Sequence, residues 1–346
     1  MKRGADTAGV GVGQTRRRGV RTSARTVAAR VVAAFAACAI GGAAFAGDAP
    51  DPTNGLIVGT DFTVNDTPVP ISIRRDGQWE ALTTGPMAWG MAADAGTCTL
   101  YIASTGGGLW RYTRRDTAPV RIGTITLAGV ATPVPGLAFH NGVLYASLVT
   151  GTEGILRIDL TPGPTLGVAT RVVNTPSAYD FSGIDIDPDT GTLYGVSDTA
   201  PAGVTPGLFT IALDTGVVTL VAAYPSPFPG SGVSPDVDGL AVGPEAAYLV
   251  VDQPGNVAPF VLGTSAYGTQ FANPFTLSRT FSSGAFAECF LFEPCVADLD
   301  NDGGVTPADV GAFFDLFERG EIDLDEDGGV TPADVEVFFT RFEAGC

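Results

Sequence analysis

Aspartate at alternating positions is the feature of this chain whose residue type and spacing most directly specify chemistry. The segment Asp298-Leu-Asp-Asn-Asp-Gly-Gly-Val-Thr-Pro-Ala-Asp309 returns in phase as Asp323-Leu-Asp-Glu-Asp-Gly-Gly-Val-Thr-Pro-Ala-Asp334, changed only at its fourth position. Calcium takes six to eight hard oxygen ligands, and a twelve-residue loop delivers them from positions 1, 3, 5, 7, 9 and 12. Aspartate fills positions 1, 3, 5 and 12 in both copies, as Asp298, Asp300, Asp302 and Asp309 and as Asp323, Asp325, Asp327 and Asp334. Gly304 and Gly329 offer a backbone carbonyl at position 7, and Thr306 and Thr331 offer a hydroxyl or a water bridge at position 9. Gly303 and Gly328 stand at position 6, where such a loop must turn sharply. The expectation is two calcium ions, one in each loop.

The element behind each loop is equally legible. Thr306 and Thr331 are placed to cap a helix, with Pro307 and Pro332 at the first helical position, where a missing N–H does no harm. Val310, Phe313, Phe314 and Phe317, matched by Val335, Phe338, Phe339 and Phe342, give each short helix one apolar face to lay on its twin. Carboxylates crowded into each loop repel one another until a divalent ion neutralises them, so metal binding and folding are expected to be coupled.

Loop plus following helix, with Cys295-Val-Ala leaving no room for an incoming helix and Asp rather than Glu at position 12, resembles the dockerin family more than a full EF-hand. The entry Cys295-Val-Ala-Asp298 and the ending Glu343-Ala-Gly-Cys346 are similar to bacterial GC-type dockerin-anchored proteins, over residues 295–346. The resemblance implies attachment to a cohesin-like or other envelope protein receptor. In that family cohesin recognition leans on loop positions 10 and 11, often hydroxyl-bearing. Pro307-Ala308 and Pro332-Ala333 depart from that pattern.

Those loops need a body and a compartment. Residues 1–46 carry Lys2, Arg3, Arg16, Arg17, Arg18, Arg21, Arg25 and Arg30 ahead of an apolar run from Val31 to Ile40, then Ala44-Phe45-Ala46. This order reads as a secretory signal peptide cut before Gly47, with a run too short to remain as a membrane span. A twin-arginine signal at Thr15-Arg16-Arg17 and a lipid-attachment box at Phe35-Ala-Ala-Cys38 are the competing readings. A secreted or cell-surface location follows from any of them. That segment holds eight of the 19 basic residues and only Asp6 of the 37 acidic ones, which leaves eleven basic against 36 acidic and a net charge of −25. Such a surface repels nucleic acid and anionic lipid and favours cations. Cys98, Cys289, Cys295 and Cys346 remain after cleavage, an even number in an exported chain, and disulfides are expected. Cys295 with Cys346 and Cys98 with Cys289 is the preferred pairing, because the first pair brackets the C-terminal module; Cys289 with Cys295 stays open as the alternative.

Between Gly55 and Phe292 a looser repeat surfaces, anchored on Gly90, Gly136, Gly183, Gly239 and Gly284, each followed by apolar alternation. Second strands such as Val143-Leu-Tyr-Ala-Ser and third strands such as Gly154-Ile-Leu-Arg-Ile follow, and four short strands per unit describes a propeller blade. The fifth anchor has no strands behind it, whereas Gly55-Leu-Ile-Val, Pro70-Ile-Ser-Ile and Gln78-Trp-Glu-Ala-Leu lack a first strand. The fold class is therefore mainly β: a five-bladed propeller closed by its C-terminal strand, then a small all-α calcium-binding module. A β-sandwich is the competing architecture. The expected domains are 1–46 (signal peptide), 47–293 (propeller) and 294–346 (dockerin-like module).

Long connections after second and fourth strands would share one face, and function gathers on such loops. Trp89, Tyr179, Asp180, Phe181, Asp198, Asp236, Asp238 and Asp252 lie on or beside it, with Asp61. Aromatic rings and carboxylates around a channel mouth suit a carbohydrate, although turn and capping roles on an acidic surface explain the same residues. Two such carboxylates could act on a glycosidic bond, but no spacing selects a pair. The single histidine, His140, sits in the turn Phe139-His-Asn-Gly142 without triad or zinc partners. Asp185-Ile-Asp-Pro-Asp-Thr-Gly191 imitates a calcium loop, yet Pro188 intrudes and Val196 would occupy position 12, so it reads as a hairpin turn. The expected function is a displayed, non-catalytic propeller that binds a ligand or protein; the alternative is an anchored glycoside hydrolase acting in polysaccharide catabolism.

Overall fold

A computed structural model of the chain describes residues 51–64, 67–149, 151–225, 236–253, 255–275, 282–291, 297–299, 304–324 and 328–344. The chain divides into two compact units, 1–49 and 50–346; the first, with the expected signal segment, lies outside the described residues. The second holds both the β body and the two C-terminal helices.

The β body is a five-bladed propeller. Gly90–Asp94, Leu137–His140, Phe181–Ile186, Asp236–Val242 and Ser282–Phe286 are the innermost strands, and each packs on the next around a closed ring. Each is followed outward by antiparallel partners, as in Phe181–Ile186, Leu193–Ser197, Gly207–Ile211 and Val218–Ala223. Short turns make those hairpins possible: Asn141 and Gly142, both at positive φ, join His140 directly to Val143, as a primed two-residue turn requires.

Ring closure follows the expected route. Ser282–Phe286 pairs with Leu56–Thr60, setting Gly284 opposite Val58, and Ile71–Arg75 and Gln78–Thr83 complete that blade. The first and last strands of the propeller thus lie side by side, which leaves no open inner edge. The Cys98–Cys289 disulfide, with Cα atoms 5.8 Å apart, fastens the closing segment to the neighbouring blade. It excludes the alternative pairing of Cys289 with Cys295; Cys295 and Cys346 lie outside the described residues.

Packing explains why glycine marks the inner strands. A Cβ at Gly183 would stand 2.7 Å from the carbonyl oxygen of Asp238 and 2.8 Å from the Leu240 nitrogen, backbone atoms of the next inner strand. Close approach of this kind is open only to glycine. The serine before two of these glycines ties blades together: Ser182 Oγ donates to Val237 O at 3.0 Å and Ser283 Oγ to Ala88 O at 3.2 Å. The space inside the ring, between Met91, Leu137, Ile184 and Leu240, does not admit a water molecule. The core lies between blades, in clusters such as Ala138, Ile155, Phe181, Ile184, Leu193 and Phe209.

Two departures concern the periphery. Thr126–Leu127 and Val130–Ala131 form a hairpin that adds to the outer edge of the third blade, in parallel with Val168–Asn174. Connections after second strands are tight in two blades, Ser104–Gly107 and the turn from Gln253 to Asn256, because third strands there start at once.

The helices Pro307–Arg319 and Pro332–Ala344 form the C-terminal module, joined through Gly320 in the left-handed region at φ 69°. Their shared core is Ala297, Phe313, Ile322 and Phe338, with the Phe313 and Phe338 rings stacked at 4.3 Å.

Candidate functional site

Each C-terminal helix begins as its sequence requires. Thr306 caps the first, its Oγ1 accepting from Ala308 N at 3.2 Å, and Asp309 returns the bond by accepting from Thr306 N at 2.8 Å. Thr331 repeats the first contact with Ala333 N at 3.2 Å, and Asp334 accepts from Thr331 N at 2.6 Å. These are reciprocal capping boxes.

The aspartates at position 12 do more. The second carboxylate oxygen of Asp309 accepts from Leu299 N at 2.6 Å, and that of Asp334 accepts from Leu324 N at 2.5 Å. Each side chain therefore staples the end of its loop to the beginning, and both are fully buried. Asp298, at position 1, is 1% exposed, and an oxygen of Asp323 is buried and receives no hydrogen bond among the described residues. Oxygen donors that include the buried Asp298, Asp309 and Asp334 fit a hard cation. Gly304, Thr306, Gly329 and Thr331 follow in loop order; Asp300, Asp302, Asp325 and Asp327 lie outside the described residues.

One contact at this module has no counterpart in the sequence pattern. Arg114, from the turn after the third strand of the second blade, places Nη2 2.6 Å from Asp298 Oδ2, with side chains 5% and 1% exposed. Arg115 Nη2 lies 3.3 Å from the Asp298 carbonyl oxygen. The propeller thus grips the first residue of the first loop from across 184 positions of chain.

A second concentration of carboxylates occupies the long-loop face of the propeller. Asp236 and Asp238 come from the start of an inner strand, where register shifts on both sides of Val237 bend the backbone, as bulges do when they re-aim side chains. Asp252 comes from the adjacent strand, Ala246–Gln253. One oxygen of each lies within 4.8 Å of the others. Asp252 accepts a short hydrogen bond from the Ser282 hydroxyl on the next inner strand. Asp198 stands beside them, accepting from Val237 N at 3.1 Å and from the Tyr224 hydroxyl.

Burial without a countercharge governs the electrostatics. Desolvation pushes Asp238 far above the ordinary carboxylate range, and the charges of Asp252, Asp236, Asp198 and Asp180 push the same way. Asp252 is also raised by burial, with the Ser282 hydrogen bond opposing and Asp236 and Asp61 adding to the rise. Burial lifts Asp198 to about 7 and raises Asp180 and Asp236. Glu153, which sequence reading missed, is raised to about 7 by burial and by Asp180.

The aromatic half of the expected face is not assembled. Tyr179 and Phe181 are buried, stacked on each other at 5.4 Å and edge-on to Phe209, so they are inter-blade core and not a ligand platform. Packing against Phe209 turns them inward. Trp89 is half-buried at the head of its inner strand, where its N–H pairs with Ala103 O at 2.8 Å. Asp180 is exposed at its surface but partly desolvated by its neighbours, its backbone N–H bonded to Ser197 Oγ at 2.8 Å.

The other face bears an open bowl of about 540 Å³ between Asp94, His140, Asp185, Pro244 and Glu288. Asp185, at its floor, is structural: it accepts from Val242 N at 2.7 Å and Ile186 N at 2.9 Å, tying two blades. Asp187 folds the next turn by accepting from Asp189 N and from the Thr190 hydroxyl, in keeping with a hairpin. Among the described residues no helix is long and apolar enough to cross a membrane.

No protein-family profile and no curated protein matches the chain. Among solved structures, a nidogen/laminin complex aligns at 12% identity and a TM-score of 0.44, over 68% of this chain and 99% of that one. The hydrazine synthase of Kuenenia stuttgartiensis aligns at 14% identity and 0.37, over 63% and 71%. Likenesses at this level carry no function from one chain to the other.

Proposed function

We propose that the chain is an exported docking protein: its C-terminal loop-helix pair takes two calcium ions and fixes the molecule to a cohesin-like or other envelope protein receptor, displaying a non-catalytic, ligand- or protein-binding propeller. The observation that carries this reading is the twofold repetition of one device. Asp309 and Asp334, each fully buried, cap a helix and staple a loop in the same way. Around each staple the sequence supplies three further aspartates at the spacing that calcium loops use. Four aspartates spaced to converge in one loop would repel one another unless a cation offset them.

The second reading, an anchored carbohydrate-active enzyme, draws on the carboxylate cluster of the propeller, since raised carboxyls are what a general acid needs. Its geometry weighs against that role. A glycosidase needs two carboxyls that both reach the glycosidic bond. Asp252 has no exposed surface with which to meet a substrate.

Binding of the mature chain to the producing cell's envelope fraction tests the docking reading. Retention in calcium, release by EDTA and loss in the Asp300→Ala/Asp325→Ala variant are expected; retention indifferent to all three overturns it. A glycan array run beside a reducing-sugar assay separates the propeller readings, because release abolished by Asp238→Asn identifies the enzyme.

A further inference from the structure

We infer that Asp236, Asp238 and Asp252 form a divalent-cation site of calcium type on the long-loop face of the propeller, separate from the C-terminal loops. Their oxygens lie within 4.8 Å of one another. Two ligands on opposite sides of a calcium ion are about 4.6–5.2 Å apart and adjacent ones closer, given bond lengths near 2.3–2.6 Å, so three oxygens within that span are near enough together to share one ion.

The buried carboxylates supply the independent observation. Asp252 is fully buried and Asp238 is 6% exposed, and each carries one oxygen, Oδ2, that receives no N–H or hydroxyl among the described residues, the two carboxyls lying within hydrogen-bond reach of each other. The other oxygen of Asp252 is taken by the Ser282 hydroxyl. Ser282 fixes the side chain, and the remaining oxygen faces its carboxylate neighbours. Buried acceptors of this kind are expensive unless something positive meets them.

Among the described residues no cation acts on either carboxyl; Arg279 lies outside them. The charges acting on Asp238 and Asp252 come from Asp236, Asp198, Asp180 and Asp61, all acidic, and the chain after residue 46 contains no lysine. Two further features favour an ion over an accident of crowding. Asp236 and Asp238 share a side of their strand by its two-residue period, and the bulged register around Val237 turns that side toward Asp252. The donors are also exclusively oxygen, with no histidine or thiolate among them, which selects a hard cation over zinc. The rival arrangement is a metal-free pair in which Asp238 and Asp252 share a proton.

Terbium luminescence on the full mature chain distinguishes them. Residues 295–346 contain neither tyrosine nor tryptophan, so terbium in the C-terminal loops gains no sensitisation from their own side chains. Tyr224, which acts electrostatically on Asp238 and bonds to Asp198, adjoins the proposed site. Saturable emission excited through tyrosine, displaced by calcium, is expected from the wild-type chain. Asp236→Asn, at a half-buried position tolerant of substitution, should weaken terbium binding at least about tenfold, and Asp236→Asn/Asp238→Asn should abolish it. Absence of saturable emission from the wild-type chain points to the shared proton and overturns the site, as does emission that calcium cannot displace or that Asp236→Asn leaves unchanged.

Discussion

Phe338 belongs to neither of the proposed calcium-ligand sets, yet on the proposed reading Phe338→Ala should weaken calcium binding. Its ring is fully buried, stacked on Phe313 at 4.3 Å and in contact with Phe339 and Phe342. Truncating a buried phenylalanine costs about 3–5 kcal/mol. If folding of the module is linked to metal, as proposed, that loss is drawn from the binding free energy. Shared between two ions it is about 1.5–2.5 kcal/mol each, or roughly ten- to seventyfold in the calcium concentration at half-saturation. The assay is calcium titration of the full chain by calorimetry, followed in parallel by far-ultraviolet circular dichroism. Exposed Glu336→Ala on the same helix is the control and should leave the midpoint in place. If Phe338→Ala lowers thermal stability but leaves calcium affinity untouched, the loops bind metal without folding and the linkage argument fails.

Other consequences concern the propeller. Gly183→Ala drives a Cβ to 2.7 Å from backbone of the adjacent inner strand and should cost about 1–3 kcal/mol in urea unfolding. Gly106→Ala, with nothing within 4 Å, should stay within about 0.5 kcal/mol of wild type; equal effects would contradict the close-packed ring. Removing the Cys98–Cys289 bridge, which spans 191 positions, should cost about 2–5 kcal/mol, and a loss near zero by the same unfolding measurement would mean that ring closure does not depend on it. Asp185, fully buried and raised to about 7 by desolvation, binds a proton more tightly in the folded state than its ordinary value of 3.8 allows in the unfolded one. Its contribution therefore favours folding in acid and is lost as pH rises from about 4 to about 7, by up to about 4 kcal/mol. In chelator, Asp185→Asn should make the fall in stability between about pH 4 and pH 7 shallower than in wild type, whatever its absolute stability; a variant whose slope matches wild type would refute the assignment.

Backbone-level features were the most legible. Gly90, Gly136, Gly183, Gly239 and Gly284 betray the inner strands because each meets a neighbouring backbone that a side chain would strike. The blade lacking a first strand and the strand lacking a blade could be matched from order alone, and Cys98 and Cys289 mark the same seam. Asp236, Asp238 and Asp252 could be placed on one face because strand heads share a side of a propeller, but their contact depends on bulges that no sequence pattern marks. Tyr179 and Phe181 were misplaced for the converse reason: proximity to a face in sequence does not fix which way a ring turns, and burial against Phe209 decided it. The Arg114–Asp298 ion pair was invisible, since it joins two elements whose local signals say nothing of each other. In the C-terminal repeat the order of donors was readable, whereas the second role of Asp309 and Asp334 as staples emerged only with backbone geometry.

Hydrogen exchange of the mature chain, read by mass spectrometry with and without calcium, tests the central claim most directly. Amides of 307–319 and 332–344 should exchange freely in EDTA and become protected together when calcium is added, with the propeller's strands protected throughout. Protection of both helices that is the same in EDTA and in calcium would contradict a docking module folded by its metal.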